Sequence, residues 1–275
     1  MSGSNVTPIS PPLRLTEPER QDWSRECDVL VVGWGAAGAS AAIEARDQGA
    51  DVIVVDRFQG GGASAKSGGV VYAGGGTAQQ KRAGFADTPE AMFDYLRHET
   101  QGVISDATLK RFCDESVSNL KWLEAMGTPY SHTLPPGGKT SYPQDGYYLY
   151  YSGNELVPAY RGDLPPPPRG HRTVGKGHGG VVLYDHLQSA CRQRGIRSLT
   201  QSAVRRLVVD VDNRVIGAEV WSIPADTKAA SLHARWAQKA DKLQNLAPGY
   251  CNRLRQRLTA LEYKHARPLL VRARK

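Results

Sequence analysis

The sequence contains no closely spaced pair of cysteines. Cys27, Cys113, Cys191 and Cys251 stand far apart with no CxxC, which excludes a zinc ribbon and a dithiol redox motif. Isolated thiols of this kind suit buried positions in a reducing compartment, so a cytoplasmic protein is expected. Long apolar runs are missing too. The aliphatic stretches are strand-sized and the opening residues hold no signal-peptide core, so no integral membrane segment is expected. The histidines are scattered: His171, His178 and His186 lie nearest one another, without acids or thiols at ligand spacing, so no metal is expected.

What is present describes a globular chain. It has 275 residues, 40% hydrophobic and 23% charged, enough for one large domain or two modest ones. The net charge of +8 is local: residues 228–275 hold 12 basic and 2 acidic side chains, whereas everything before them nets −2. This basic tail lacks interleaved aromatics, so it reads as a solvated helical hairpin and no nucleic-acid partner is expected.

Along the chain, the proline-dotted polar residues 1–25 read as a flexible leader. "CDVLVVG" is a buried β-branched strand, the alanine-rich segment after it is a helix closed by Gly49, and "ADVIVVD" is the next strand, completing a βαβ unit. Residues 60–76 are too glycine-rich for regular structure. Helices are predicted over 88–101 and 105–127, the second with Leu109, Phe112, Val117, Leu120 and Leu123 toward a core. Residues 128–173, rich in tyrosine and proline, form an irregular loop of the kind that often serves as a lid or binding loop. Another helix follows over 179–195. Residues 196–222 then read as a β-meander turned at "DNR". Pro248 divides the tail into two helices, one striped by Trp236, Leu243 and Leu246, the other by Leu254, Leu258 and Leu261, before "RPLLVRARK" begins a strand.

The chemistry is concentrated at residues 31–57, "VVGWGAAGASAAIEARDQGADVIVVDR". A lone GxGxxG is weak, but this one sits between a strand and a helix, with an acid at the end of the second strand. Gly33 permits the tight turn, Gly35 lets the backbone approach a pyrophosphate, and Gly38 lets helix and strand pack closely. The helix N-terminus offers amide donors to phosphates. Asp56 can accept ribose hydroxyls, which disfavours a 2′-phosphate. The glycine-rich stretch after Asp56 favours FAD over NAD: Ser64 and Ser67 offer hydroxyls, while Gly68 and Gly69 leave room for a flat ring.

Together "DVLVVGWGAAGASAAIEARDQGADVIVVDR", "SAKSGGVVYAGGGT", "SNLKWLEAMG" and "RLVVDVDNRVIGAEV" resemble the N-terminal half of the fumarate reductase/succinate dehydrogenase flavoprotein family. "SAKSGG" is most similar to its 3-ketosteroid Δ1-dehydrogenase branch. The resemblance implies an α/β fold, a Rossmann-like, glutathione-reductase-like FAD-binding domain over 26–222 with a small β-meander. It also implies FAD held by Gly33, Gly35, Ala36, Ala37, Gly38, Asp56, Arg57, Ser64, Ser67, Gly68 and Gly69, with the Val204 backbone at the adenine. Residues 57–70 contain no histidine, so the FAD is expected to be noncovalent. The family continues into a substrate cap that does not follow here. The expectation is therefore an incomplete FAD-binding domain, ending in a basic helical segment and the start of a strand over 223–275.

The implied reaction is hydride transfer between a carbon substrate and flavin, with 3-ketosteroid 1,2-desaturation ahead of fumarate-like enoate reduction. A noncatalytic FAD-binding or interaction protein is the alternative. The substrate is then a small steroid or an enoate or dicarboxylate, and the electron acceptor is unspecified. Desaturation needs a base beside the carbonyl, and a tyrosine of lowered pKa can serve. Tyr151, in the cluster 147–151, is the catalytic candidate as an assisting group, against an aromatic packing role for the same residues. His171 and Arg172 read as loop-stabilising rather than substrate-contacting.

Overall fold

The computed structural model describes residues 10–138, 141–160 and 165–274. The chain divides into two compact units, one built from Met1–Gly62 and Cys191–Lys275, the other from Ala63–Ala190.

The first unit opens with β1 (Leu13–Arg14), β2 (Arg25–Cys27), β3 (Val29–Val32), α1 (Ala36–Asp47) and β4 (Val52–Val55). All four residues of β4 are buried, as a strand covered on both faces must be. Gly49, at φ +86°, takes the left-handed conformation that ends α1. The chain then builds the second unit from α2 (Gly62–Lys66), β5 (Val70–Tyr72), α3 (Ala78–Arg82), α4 (Pro89–Thr100), α5 (Asp106–Asp114), α6 (Ser116–Ala125), β6 (Leu149–Tyr150) and β7 (Gly170–Arg172). It returns along α7 (Gly180–Gln193) to β8 (Arg197–Leu199), β9 (Ser202–Val209), β10 (Val215–Ser222), α8 (Lys228–Lys242), α9 (Pro248–His265) and β11 (Arg267–Ala273).

Two sheets make the first unit. β3, β4 and β8 are parallel with β4 in the middle. The second sheet has the order β1-β9-β10-β11-β2, antiparallel at its centre and parallel at both flanks. Cys27, Ile53, Val55, Ala218, Val220 and Val271 form a core cluster drawn from both sheets, with Leu30, Leu199 and Val204 packed against it. In the second unit β5, β7 and β6 form an antiparallel sheet in that order.

Several sequence expectations change. Residues 1–9 of the expected leader lie outside the described residues. From Leu13 the segment is tied down, because β1 pairs with β9 and β2 pairs with β11. The glycine-rich stretch holds α2 and β5, with Gly69 at positive φ between them and Gly60, Gly61, Gly62, Gly75 and Gly76 at positive φ at or beyond their outer ends. The predicted 105–127 helix is broken at Glu115, and Phe112 faces solvent. The meander splits: β8 joins the parallel sheet while β9 and β10 form a hairpin, closed by Asp210 accepting the amides of Asp212 and Arg214, with Asn213 at φ +62°. The tail divides at Pro248, but Leu246 is exposed, and Trp236 and Leu243 pack on Ala240, Cys251 and Leu254. Positions 139–140 and 161–164 of the expected irregular loop lie outside the described residues.

Candidate functional site

In the first unit the glycine turn has the geometry its sequence predicts. Gly33, at φ +95°, donates its amide to Val55 O at 2.8 Å, which fastens the turn to β4. Gly35 is the N-cap of α1 and lends it no side chain, so α1 begins at Ala36, Ala37 and Gly38 without a side-chain cap. A Cβ on Gly38 would stand 1.9 Å from Gly33 O. Only a glycine lets helix and turn approach so closely, and this is the approach a diphosphate cradle requires. The residues present therefore fit a dinucleotide.

Asp56 closes the turn from the β4 side. Its Oδ2 accepts the Trp34 amide at 2.8 Å and its Oδ1 accepts the Phe58 amide at 2.7 Å. Each oxygen retains a second lone pair for a ribose hydroxyl. Arg57, assigned to the cofactor from the resemblance, turns to α9. Its Nε donates to Glu262 Oε1 at 2.8 Å and its Nη2 to Thr259 Oγ1 at 3.2 Å, with about a third of the side chain exposed. Glu262 also meets Arg205 at 3.3 Å and His233 Nε2 at 3.1 Å. Hydrogen bonds from His233 and Arg57 hold its carboxyl below the usual range, against the opposing effect of burial. Val204 lies on β9 opposite Val220, its side chain against the core.

In the second unit Ser64, Ser67, Gly68 and Gly69 form one tight knot. Ser67 Oγ donates to Ser64 O at 2.8 Å and accepts the Gly69 amide at 3.1 Å. A Cβ on Gly68 would meet the Tyr142 ring at 2.6 Å, and one on Gly69 the Gly179 carbonyl carbon at 2.2 Å. On the side where a Cβ would stand, the room expected for a flat ring is taken up by close packing inside the unit.

Tyr151 is buried, its hydroxyl donates to Pro166 O at 3.0 Å, and its ring meets Phe85 edge-on. Burial pushes its neighbour Tyr150 up to about 12 and raises Tyr72 and Tyr95 as well, the opposite of what a tyrosine base needs. His171 and Arg172 stabilise loops, in line with their sequence reading. His171 Nδ1 lies 3.1 Å from Arg169 O and Nε2 2.9 Å from Thr77 Oγ1, and burial lowers its pKa to about 4. Arg172 is fully buried and donates to Tyr142, Asp145 and the carbonyls of Pro143, Gln144 and Gly177.

Sequence reading missed a cavity of about 520 Å³ in this unit, lined in part by Asp87, Tyr95, His98, Glu155, Tyr160 and Arg169. Asp87 and Arg169 form a buried two-pronged pair at 2.8 and 3.0 Å. Among the described residues the buried Glu155 Oε1 has no hydrogen-bond partner, and burial raises the carboxyl's pKa. Nothing in the local spacing of these residues announces their meeting. Among the described residues no cluster of potential metal ligands occurs, and no helix is long and apolar enough to cross a membrane.

A family model described as FAD binding domain matches residues 28–265. The chain is 47% identical over 275 residues to a 3-oxo-5-alpha-steroid 4-dehydrogenase of Comamonas testosteroni, covering 98% of this chain and 50% of that protein. Identity to a fumarate reductase (cytochrome) of Shewanella frigidimarina is 38% over 113 residues, 40% of this chain and 19% of the relative. The crystal structure of a 3-ketosteroid-delta4-(5alpha)-dehydrogenase of Rhodococcus jostii RHA1, in complex with 4-androstene-3,17-dione, superimposes with a TM-score of 0.74 at 28% identity. That match covers 96% of this chain and 47% of the other. The chain thus spans about half the length of the steroid-dehydrogenase relatives it matches.

Proposed function

Because the chain belongs to the FAD-binding-domain family, we propose that it is the FAD-binding part of a dehydrogenase that desaturates ring A of a 3-ketosteroid. The observation that carries the FAD reading is the approach of Gly38 to Gly33 O at the start of α1. Gly33, Gly35, Ala36, Ala37 and Gly38 would hold the diphosphate, Asp56 the ribose and the Val204 backbone the adenine. Ser64, Ser67, Gly68 and Gly69 are proposed for the flavin end. Bound FAD would supply the hydride acceptor, noncovalently, since residues 57–70 contain no histidine.

The substrate proposal takes its class from the relatives. "SAKSGG" favours C1–C2 desaturation by resemblance, whereas the relative matched along nearly the whole chain is named for position 4. We therefore place the reaction at C4–C5. The fumarate reductase match supports enoate reduction as the second reading. Four free, buried thiols agree with a reducing, cytoplasmic setting.

Tyr151 is proposed as an assisting residue whose hydroxyl exchanges Pro166 O for a second tyrosine. Tyr151→Phe should lower steroid turnover by about tenfold to a hundredfold while leaving FAD affinity unchanged; unchanged turnover assigns Tyr151 to packing. The test of the function is to purify the chain with FAD, record its visible spectrum, and assay a 5α-3-ketosteroid and an enoate with artificial dyes. A flavin spectrum with steroid oxidation supports the proposal. Enoate reduction alone selects the second reading, a flavin spectrum without turnover leaves a binding protein, and absence of any FAD binding overturns the reading for this chain.

A further inference from the structure

The α8–α9 hairpin has no part in the reaction just described, yet it presents two buried polar side chains to the turn after β4. His233 and Glu262 are both nearly inaccessible to solvent. Glu262 Oε1 receives Arg57 Nε at 2.8 Å and lies 3.1 Å from His233 Nε2. The His233 ring stacks on Phe58, with centroids 5.6 Å apart and planes 20° from parallel. On its other side His233 Nδ1 lies 3.2 Å from Gln201 Nε2, which also donates to Ala230 O at 2.7 Å. That second bond fixes the amide orientation, so Nδ1 accepts and Nε2 is the N–H turned to Glu262.

Gln201 carries the connection to β9. Its amide donates to Phe58 O at 2.8 Å, the next amide, Ser202 N, donates to Asp56 O at 2.9 Å, and Gln201 sits at φ +51°. A left-handed glutamine persists only where its surroundings hold it. One network thus joins residues 56–58, the first of which is proposed for the ribose, to residues 201 and 202 at the start of the strand that carries Val204, proposed for the adenine, and anchors both to the hairpin.

From this arrangement we infer that α8–α9 is a clamp for the adenosine half of the dinucleotide, with Glu262 and His233 as positioning residues that preorganise Arg57, Phe58 and Gln201 around an adenosine diphosphate group. The inference rests on the FAD reading above. Arg57 has five donors, two of them directed to α9, and its exposed part remains able to meet a phosphate or ribose. Holding such a side chain before the ligand arrives removes part of the ordering cost of binding. A role confined to stability would change the melting temperature and leave affinity below the melt untouched.

The test is calorimetric titration of the full chain with ADP and separately with FAD, for wild type, Glu262→Gln and Thr259→Val, with circular dichroism and melting curves on each. Glu262→Gln is expected to weaken ADP and FAD at least tenfold and by the same factor, with unchanged helix content at the titration temperature. Thr259→Val, which removes Arg57's second acceptor, should weaken both about threefold, and it alone decides the matter if Glu262→Gln does not fold. Affinities within twofold of wild type in the folded variants overturn the clamp, as does a loss seen for FAD but not ADP. Wild type binding FAD but not ADP also overturns the clamp and leaves the FAD reading standing. Wild type binding neither removes the FAD reading and the clamp with it.

Discussion

Gly38 has no side chain, yet it sets the shape of the proposed diphosphate cradle. A methyl group there would lie 1.9 Å from Gly33 O, so helix and turn would have to separate. Gly38→Ala should cost about 1–3 kcal/mol of stability by overpacking and weaken FAD at least tenfold, read by flavin fluorescence titration beside a thermal melt. Unaltered affinity would detach the glycine turn from the cofactor. Asp56 teaches a different lesson. Its position at the end of a strand is the ground for proposing it as a ribose acceptor, and its bonds to the Trp34 and Phe58 amides make it the pin that holds the turn in shape. Such a role depends on which amides the fold brings within reach.

The β5-β7-β6 sheet has its own pH dependence. His171, on β7, is buried between Thr77 and Arg169 O, and its pKa falls to about 4 from an ordinary 6.5. A group whose folded pKa is depressed contributes stability that is fully present above the unfolded value and is lost as pH falls through the folded one. The window is therefore about pH 6.5 down to 4, and its size is on the order of 3 kcal/mol. Glu155 acts in the opposite sense, because burial raises its carboxyl and its contribution is lost as pH rises. Comparing denaturant unfolding of wild type and His171→Gln across this range isolates the histidine. The slope should be shallower in the variant, and parallel curves would refute the assignment.

Elements were legible where local pattern decides them. Apolar β-branched runs marked β3 and β4, an alanine-rich run closed by Gly49 marked α1, and Thr88 and Ser105 cap α4 and α5 through their side chains. Elements governed by distant partners were not legible. β8 left the expected meander because its partner is β4. The break at Glu115 carries neither glycine nor proline, and that residue stays near helical angles at φ −88°, ψ −3°. At the site, the meeting of Arg57 with Glu262 spans 205 positions, so no spacing rule could have announced it.

At the scale of the whole chain, ion pairs tie the tail to the rest of the fold in both directions. Its Glu262 meets Arg57 and Arg205, while its Arg272 pairs with Glu19 and lies over the Trp23 ring. If FAD is a ligand of the folded chain, adding it at a hundred times its dissociation constant contributes about 2.7 kcal/mol. At roughly 2–4 °C per kcal/mol, the melting temperature should rise by roughly 5–10 °C, checked by scanning calorimetry with riboflavin as control. A rise with riboflavin equal to that with FAD would leave the glycine turn without a role in binding.

β11 has a further consequence, for the time the chain takes to fold as it is made. It lies between β10 and β2, so Cys27 waits for Arg272, 245 positions later, before β2 joins its sheet. At about 5–20 residues per second, a ribosome needs roughly 10–50 s to cover that distance. Throughout that interval β2 presents an unpaired edge, and β10 joins it once residues 215–222 are made, both waiting for β11. The nascent protein therefore passes through a sticky interval that ends only when residues 267–273 clear the exit tunnel, and a chaperone that shields strand edges would act on it then.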